Sequence, residues 1–269
     1  MMPITSLDDE RVAPYRWAAD PRRLETEGLF VAEGRLVVPR LLAASSRPGH
    51  SAGSAQSVLL SPSALAHMRP LLEAHPLVPA FVVPQAVMNE LVGFNIHRGC
   101  LALGRRPATP SLEHTDLSHA TRIIVLEGVN NPDNIGGIFR SAAAFDTDLV
   151  ALGPACADPL YRKSIRTSMG ATLDVPYAQA EPWPQALDQL KRAGFRVIAL
   201  TTAATATPLP RLTTEHTRTA LLAGAEGTGL SALALAAADE RVTIPISARV
   251  DSLNVGTALA IALNHVSSS

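Results

Sequence analysis

Residues Arg122 to Phe145 read RIIVLEGVNNPDNIGGIFRSAAAF, and the architecture of the chain turns on how this stretch is read. Arg122 to Val129 is an apolar, β-branched run of strand length, followed by the turn formers Asn130-Asn131-Pro132-Asp133-Asn134. A buried strand therefore stops at a polar loop. From Ile135 the spacing becomes helical, with Asp133 or Asn134 placed to cap the free N–H groups of the first turn. Strand, loop and helix make half of a βαβ unit. Side chains on a helix lean toward its N-terminus, so Arg140 is expected to lie over Gly136 and Gly137 and to reach back to the loop. With the helix N-terminus it would suit a phosphate or a developing alkoxide. The alternative is a capped helix with glycines for close packing and a solvated arginine.

The rest of the chain sets bounds on that reading. A length of 269 residues allows one large domain or two ordinary ones, and a hydrophobic fraction of 47% is ample for a core. The N-terminal MMPITSLDDERVAPYRW carries acidic residues and no signal-like apolar run, and no stretch is long enough to span a bilayer. A cytoplasmic protein without a membrane partner is expected. Cys100 and Cys156 lie far apart and the eight histidines are scattered, so neither a disulfide framework nor a metal site is expected. A net charge of −1 argues against holding nucleic acid by bulk electrostatics and leaves local basic patches open.

Upstream, short apolar strands alternate with helical segments up to Leu103, as in a small α/β layer domain, and Pro107 to His119 is a polar linker. Arg98, Arg105 and Arg106 crowd the end of that domain, as a solvated edge or as an RNA contact. Ser45 to Ser54 has the composition of a flexible loop. Downstream, Asp158 to Gly170 is predicted to be a helix whose Arg162, Lys163 and Arg166 form a basic face. Strands at Phe195 to Leu200, Thr219 to Leu222 and Val242 to Ile246 follow, and a last helix starts at Asp251-Ser252 and runs from Leu253 to Val266. Three strand-to-helix loops stand out: Asn130 to Gly137, Gly224 to Gly229 and Ser247 to Asn254. In a largely parallel sheet they would gather at one edge. No G-x-G-x-x-G follows these strands and no P-loop motif occurs.

In this order and spacing the three loops resemble the motifs of the SpoU/TrmH family of SPOUT-class RNA 2′-O-ribose methyltransferases. The matching stretches are Asn134-Ile135-Gly136-Gly137-Ile138-Phe139-Arg140, Gly224-Ala225-Glu226-Gly227-Thr228-Gly229-Leu230, and Ile244-Pro245-Ile246 with Ser252-Leu253-Asn254-Val255. Ser168-Met169-Gly170-Ala171 also fits, whereas Gly256-Thr257 stands where many members have Ser-Val. The resemblance implies an α/β fold in two parts. Residues 121–269 would form a SPOUT domain with a mostly parallel sheet, a deep C-terminal trefoil knot and a homodimer interface. Residues 1–107 would form an L30e/L7Ae-like RNA-binding domain, entered at Phe30-Val31-Ala32-Glu33-Gly34, with 108–120 as linker.

The activity implied is methyl transfer from S-adenosylmethionine to a ribose 2′-hydroxyl of rRNA or tRNA, without a metal. By similarity the cofactor would sit among Thr201, Gly224, Glu226, Gly227, Ile244, Ile246, Leu253 and Asn254. Arg140 would position the target phosphate and stabilise the alkoxide, because a guanidinium stays charged and makes a poor base. Asn134, Ser252 and Asn254 would orient Arg140 and the ribose. Glu226 would hold its loop or contact the partner subunit, unless it is only a first-turn helix acid. Arg98, Arg162, Lys163 and Arg166 are the candidates for RNA phosphate contacts, with a solvated face as the alternative.

Overall fold

Contacts in the computed structural model, which describes residues 1–4, 6–45, 53–96, 99–213 and 218–267, divide the chain into two units. The first comprises Met1–Ala108 with Leu160–Asp174, and the second Thr109–Pro159 with Val175–Ser269. The first unit has a mixed sheet of β1 (Met2–Pro3), β2 (Leu29–Glu33), β3 (Ser54–Leu60), β4 (Ala80–Val82) and β5 (Cys100–Arg105). Its order among the described residues is β1-β4-β3-β5-β2, with β5 antiparallel to both neighbours.

Helices α1 (Pro21–Thr26), α2 (Val37–Ser45), α3 (Pro62–Ala74) and α4 (Gln85–Val92) alternate with these strands. Pro39 lies in the first turn of α2, where its missing N–H leaves no bond unmade, so it shortens nothing. Ser61 caps α3 by accepting from the Ala64 N–H, and Gly93, at φ 76°, ends α4 in the left-handed region. Tyr15, Leu59, Met88 and Leu101 are buried in one core, with the Tyr15 hydroxyl 2.9 Å from that of Ser57. Burial pushes the Cys100 thiol up to about 12, so it is an inert core group.

In the second unit β6 (Arg122–Glu127) leads into α5 (Pro132–Ala144), then β7 (Leu149–Leu152). The strand ends two residues earlier than its apolar run suggests. The cap of α5 is Asn131, whose side chain accepts from the Asp133 N–H, so neither Asp133 nor Asn134 fills that role. Pro132 starts the helix because its fixed φ suits the first turn.

Helix α6 (Arg162–Thr167) is much shorter than the predicted 158–170 helix, and it packs with the first unit. Pro159 precedes it, and Met169 and Gly170 at φ 56° and 85° stop it. Its placement follows from its side chains. Ser164 and Ile165 are buried, and Arg162 pairs with Glu33 of β2.

The chain continues through β8 (Tyr177–Gln179), α7 (Gln185–Arg192), β9 (Arg196–Leu200), β10 (Thr207–Pro208), β11 (Thr219–Gly224), α8 (Ala232–Ala237), β12 (Glu240–Thr243) and α9 (Val255–Ser267). The sheet order among the described residues is β10-β12-β9-β11-β6-β7-β8, and every pairing is parallel. Such a sheet must be covered on both faces, which explains its continuous apolar strands. Leu221 of β11 sits in register with Ile124 of β6 and Ile198 of β9, while their chain neighbours Leu222, Val125 and Val197 belong to the core on the other face. β12 stops at Thr243 rather than Ile246, since Pro245 has no N–H to give the ladder. Helix α9 starts at Val255 rather than Leu253 and packs on α5 and β11. Gly256 faces α5 there: an added Cβ would meet Ile138 at 3.8 Å and its own cap Asn254 at 3.2 Å.

Candidate functional site

The carboxyl ends of β9, β11 and β12 lie side by side, and their loops enclose a cavity of ≈ 710 Å³, within the range of small-molecule sites. The sheet brings them together. Thr201 and Thr202 enter from the end of β9, Gly224 to Leu230 from β11, Thr243, Ile244 and Ile246 from β12, and Asp251 to Val255 from the approach to α9. All eight residues expected around a cofactor, Thr201, Gly224, Glu226, Gly227, Ile244, Ile246, Leu253 and Asn254, line this cavity, as does Ser252.

The loop after β11 owes its shape to glycine. A Cβ on Gly224 would come within 2.3 Å of the Gly229 carbonyl carbon, so the loop can fold on itself only with Gly there. Gly227 and Gly229, at φ 85° and 67°, would place a Cβ with no atom within 4 Å. Bare backbone thus faces open space at the cavity wall. Peptide groups and apolar walls from Leu200, Ile244 and Leu253 suit a flat heterocycle, and Glu226 and Asp251 suit a cationic ligand. S-adenosylmethionine, with an adenine at one end and a sulfonium toward the other, fits this donor set.

One side chain ties the loops together. The Asn254 amide Nδ2 donates to Asn134 Oδ1 and to Glu226 Oε1, each at 2.8 Å. Its Oδ1 accepts from the N–H groups of Gly256 at 3.0 Å and Thr257 at 3.2 Å, which makes Asn254 the cap of α9. All three motif loops therefore meet at one amide, and Asn254 is oriented by four partners. Asn134 is buried in the first turn of α5 and reaches the site through this bond. Glu226 uses its carboxylate to hold Asn254, a stronger role than that of a first-turn acid.

Arg140 is a correction to the expected geometry. It is solvent-exposed, does not line the cavity, and makes no hydrogen bond to Asn134, whose side chain is taken by Asn254. Six residues on a helix amount to about 240° of rotation, so the two side chains leave α5 in different directions. Glycines beneath an arginine do not overcome that angle.

The basic residues proposed for RNA separate in the same way. Arg162 donates to Glu33 Oε2 at 2.7 Å and stacks over the Phe94 ring at 4.0 Å, so its charge and its flat face are both engaged inside the first unit. Arg166 is exposed and Lys163 half-buried. Arg98 lies outside the described residues, as do 46–52 of the expected flexible loop. Among the described residues no group of three or more His, Cys, Asp or Glu side chains could hold a metal ion, and no helix is long and apolar enough to cross a membrane. Burial raises the Cys156 thiol.

Sequence reasoning missed Thr202, Thr243 and Asp251 in the cavity wall, since single polar residues next to strand ends carry no spacing signal. It also missed Glu127 and Trp183, which meet behind the wall at 2.7 Å. A lone carboxylate closing an otherwise apolar strand was the available clue.

The motif loops have known relatives. Residues 121–264, more than half of the chain, match the model of the SpoU rRNA methylase family. The chain belongs to this family. As a SpoU methylase it has a relative in Mycobacterium tuberculosis, an uncharacterised tRNA/rRNA methyltransferase, 43% identical over 238 residues that cover 88% of this chain and 80% of that protein. Among solved structures, the AdoMet-bound rRNA methyltransferase of Sinorhizobium meliloti has a TM-score of 0.81 at 21% identity, over 98% of this SpoU chain and 96% of its own, a likeness of fold. An RNA 2′-O ribose methyltransferase has a TM-score of 0.79 at 27% identity, covering 98% of both chains.

Proposed function

We propose that this SpoU methyltransferase transfers the methyl group of S-adenosylmethionine to a ribose 2′-hydroxyl of rRNA or tRNA. The observation that carries the reading is the Asn254 amide, which joins Asn134 and Glu226 at the edge of the cavity. The 27%-identical 2′-O ribose methyltransferase supports the choice of ribose. The donor, when bound, supplies a methyl carbon already activated by the sulfonium. What remains for the chain is to hold that carbon in line with the ribose oxygen, to exclude water and to favour the developing alkoxide.

In this reading the glycine loop and the apolar walls hold the adenosine, while Ser252, Asn254 and Asn134 fix the edge at which ribose arrives. Arg140, turned outward on its own chain, acts at the cavity of a second copy, where its guanidinium grips the phosphate and stabilises the alkoxide. The homodimer is thus required for chemistry. Residues 121–269 would form the SPOUT domain, its parallel sheet closed by a trefoil knot through which α9 passes; family membership and the packing of α9 on α5 and β11 support that threading. Residues 1–107 would be an L30e/L7Ae-like RNA-binding domain, joined through 108–120. RNA phosphates would meet Arg166, Lys163 and Arg98, and the enzyme would work in the cytoplasm without a metal.

The test is direct. Purified protein, S-adenosylmethionine and total rRNA or tRNA from a deletion strain are incubated, and the RNA is digested to nucleosides for mass spectrometry. A 2′-O-methylated nucleoside is expected. A methylated base would replace the ribose assignment, and no methylated product from either RNA would overturn the proposal.

A further inference from the structure

Glu127 closes β6 and is only 9% exposed, although it is charged and follows the apolar run Ile123 to Leu126. Burying a carboxylate is costly unless its oxygens are satisfied. Both are. Oε1 accepts from the Trp183 indole Nε1–H at 2.7 Å, and Oε2 accepts from the Ser231 backbone N–H at 2.8 Å. Ser231 is the residue at which the glycine loop ends and α8 begins, and its own hydroxyl caps that helix by accepting from the Ala234 N–H. Next along the chain, Gly128, at φ 70°, is close enough to the loop entrance that an added Cβ would meet the Ala225 Cβ at 3.3 Å. The end of β6 therefore abuts the loop at its start and holds it at its finish.

Trp183 is fixed in turn. Its ring packs so closely on Gly153 that a Cβ there would lie 3.1 Å from the ring and 2.7 Å from the Leu126 carbonyl oxygen. Gly153 backs the indole on that side while its Nε1–H engages the carboxylate, so Trp183 helps set where Glu127 points. Glu127 itself does not line the cavity, whereas Leu230, just before the amide it grips, does.

We propose that Glu127 is a positioning residue for the methyl-donor loop. Its carboxylate, aimed by Trp183, pins the Ser231 amide and so sets the shape of residues 224–230. The proposal rests on the reading that this cavity takes S-adenosylmethionine. The two N–H donors engage different oxygens of one side chain, an arrangement a carboxylate supplies and a carboxamide does not.

Glu127→Gln keeps the shape and leaves one acceptor oxygen. With the full-length variant, Kd by calorimetry and KM for S-adenosylmethionine should each rise about tenfold, while kcat at saturating donor stays within about twofold of wild type. In a Trp17→Phe background Trp183 is the only tryptophan, and its emission should shift in the variant. Ser231→Pro gives a second route, because Ser231 already has the φ of −63° that a proline ring imposes and loses only its N–H and hydroxyl. It should weaken donor binding well beyond Ser231→Ala, which removes the hydroxyl alone. A Glu127→Gln protein with Kd and KM within about threefold of wild type, or a Ser231→Pro protein that binds like Ser231→Ala, overturns the proposal. A lowered melting temperature with unchanged KM does the same, since it marks a structural role only. A wild-type protein that binds no S-adenosylmethionine overturns the cavity reading and this proposal with it, whereas normal wild-type binding with indifferent variants overturns this proposal alone.

Discussion

The loops around Asn254 and the helix α6 are both built from polar and charged residues, and they put them to opposite uses. At Asn254 three distant segments converge, and their side chains spend their hydrogen bonds on one another at the rim of an open cavity. At α6 the most prominent cation, Arg162, turns inward to Glu33 and Phe94 and becomes part of the packing of the first unit. What separates them is the supply of partners. A guanidinium beside a part-buried carboxylate and an aromatic ring settles there, because both contacts gain from reduced solvation. An amide at a helix start still has a free edge to offer to neighbouring loops.

The contrast can be attacked in order of expected size. Arg140→Ala should lower methyl transfer to RNA by at least about 10²-fold while leaving S-adenosylmethionine affinity by calorimetry unchanged. Wild-type turnover would remove Arg140 from the chemistry. Because Arg140 is proposed to serve the other copy, a mixed dimer of Arg140→Ala with a cavity-blocked Gly224→Val subunit should recover one working site, about half the activity of a wild-type dimer. Recovery no greater than that of either parent would place both groups on one chain.

Asn254→Ala removes the cap of α9 and the bridge at once. A loss of about 1–2 kcal/mol in urea unfolding is expected, together with a drop in transfer rate that outlasts correction for folded fraction. Asn254→Asp keeps the cap oxygen but sets a second carboxylate against Glu226, so it should restore stability and not activity. If it restores both, the amide does no more than cap.

Arg162→Ala should cost about 1–2 kcal/mol of stability, read from the denaturation midpoint, with the salt dependence of RNA binding unaltered. Arg166→Ala should do the converse: little change in stability and a fall of about one in the slope of log affinity against log salt. Should the two variants exchange these phenotypes, the division between packing arginine and RNA arginine would be reversed.

The residues differ in how far their roles are legible in the sequence. The strand Arg122–Glu127 and the loops at Gly224 and Asn254 were legible because apolar runs cut off by turn formers mark the carboxyl edge of a parallel sheet, and such edges converge whatever the sequence between them. Asn131 as cap was not, since the expected Asp133 or Asn134 offers the same chemistry and only the backbone at Pro132 decides among them. The direction of Arg140 was misjudged for a geometric reason, six residues being the wrong fraction of a turn. Arg162 looked like part of a surface stripe because nothing in its neighbourhood names Glu33, which lies far upstream in the chain. Glu127 was passed over as the tail of an apolar strand, although a charge in that position needed a partner.

The pairing of β6 with β11 has an outcome for biosynthesis. The first strand of the second unit must wait on the ribosome, without one of its two neighbours, until Thr219–Gly224 has emerged, and α9 with Asn254 comes later still. A chain released before β11 would hold an unfinished sheet with an open flank and no closed cavity at its edge. The cavity can therefore close only after β9, β11, β12 and the approach to α9 have all emerged, and until then one flank of β6 stays unpaired.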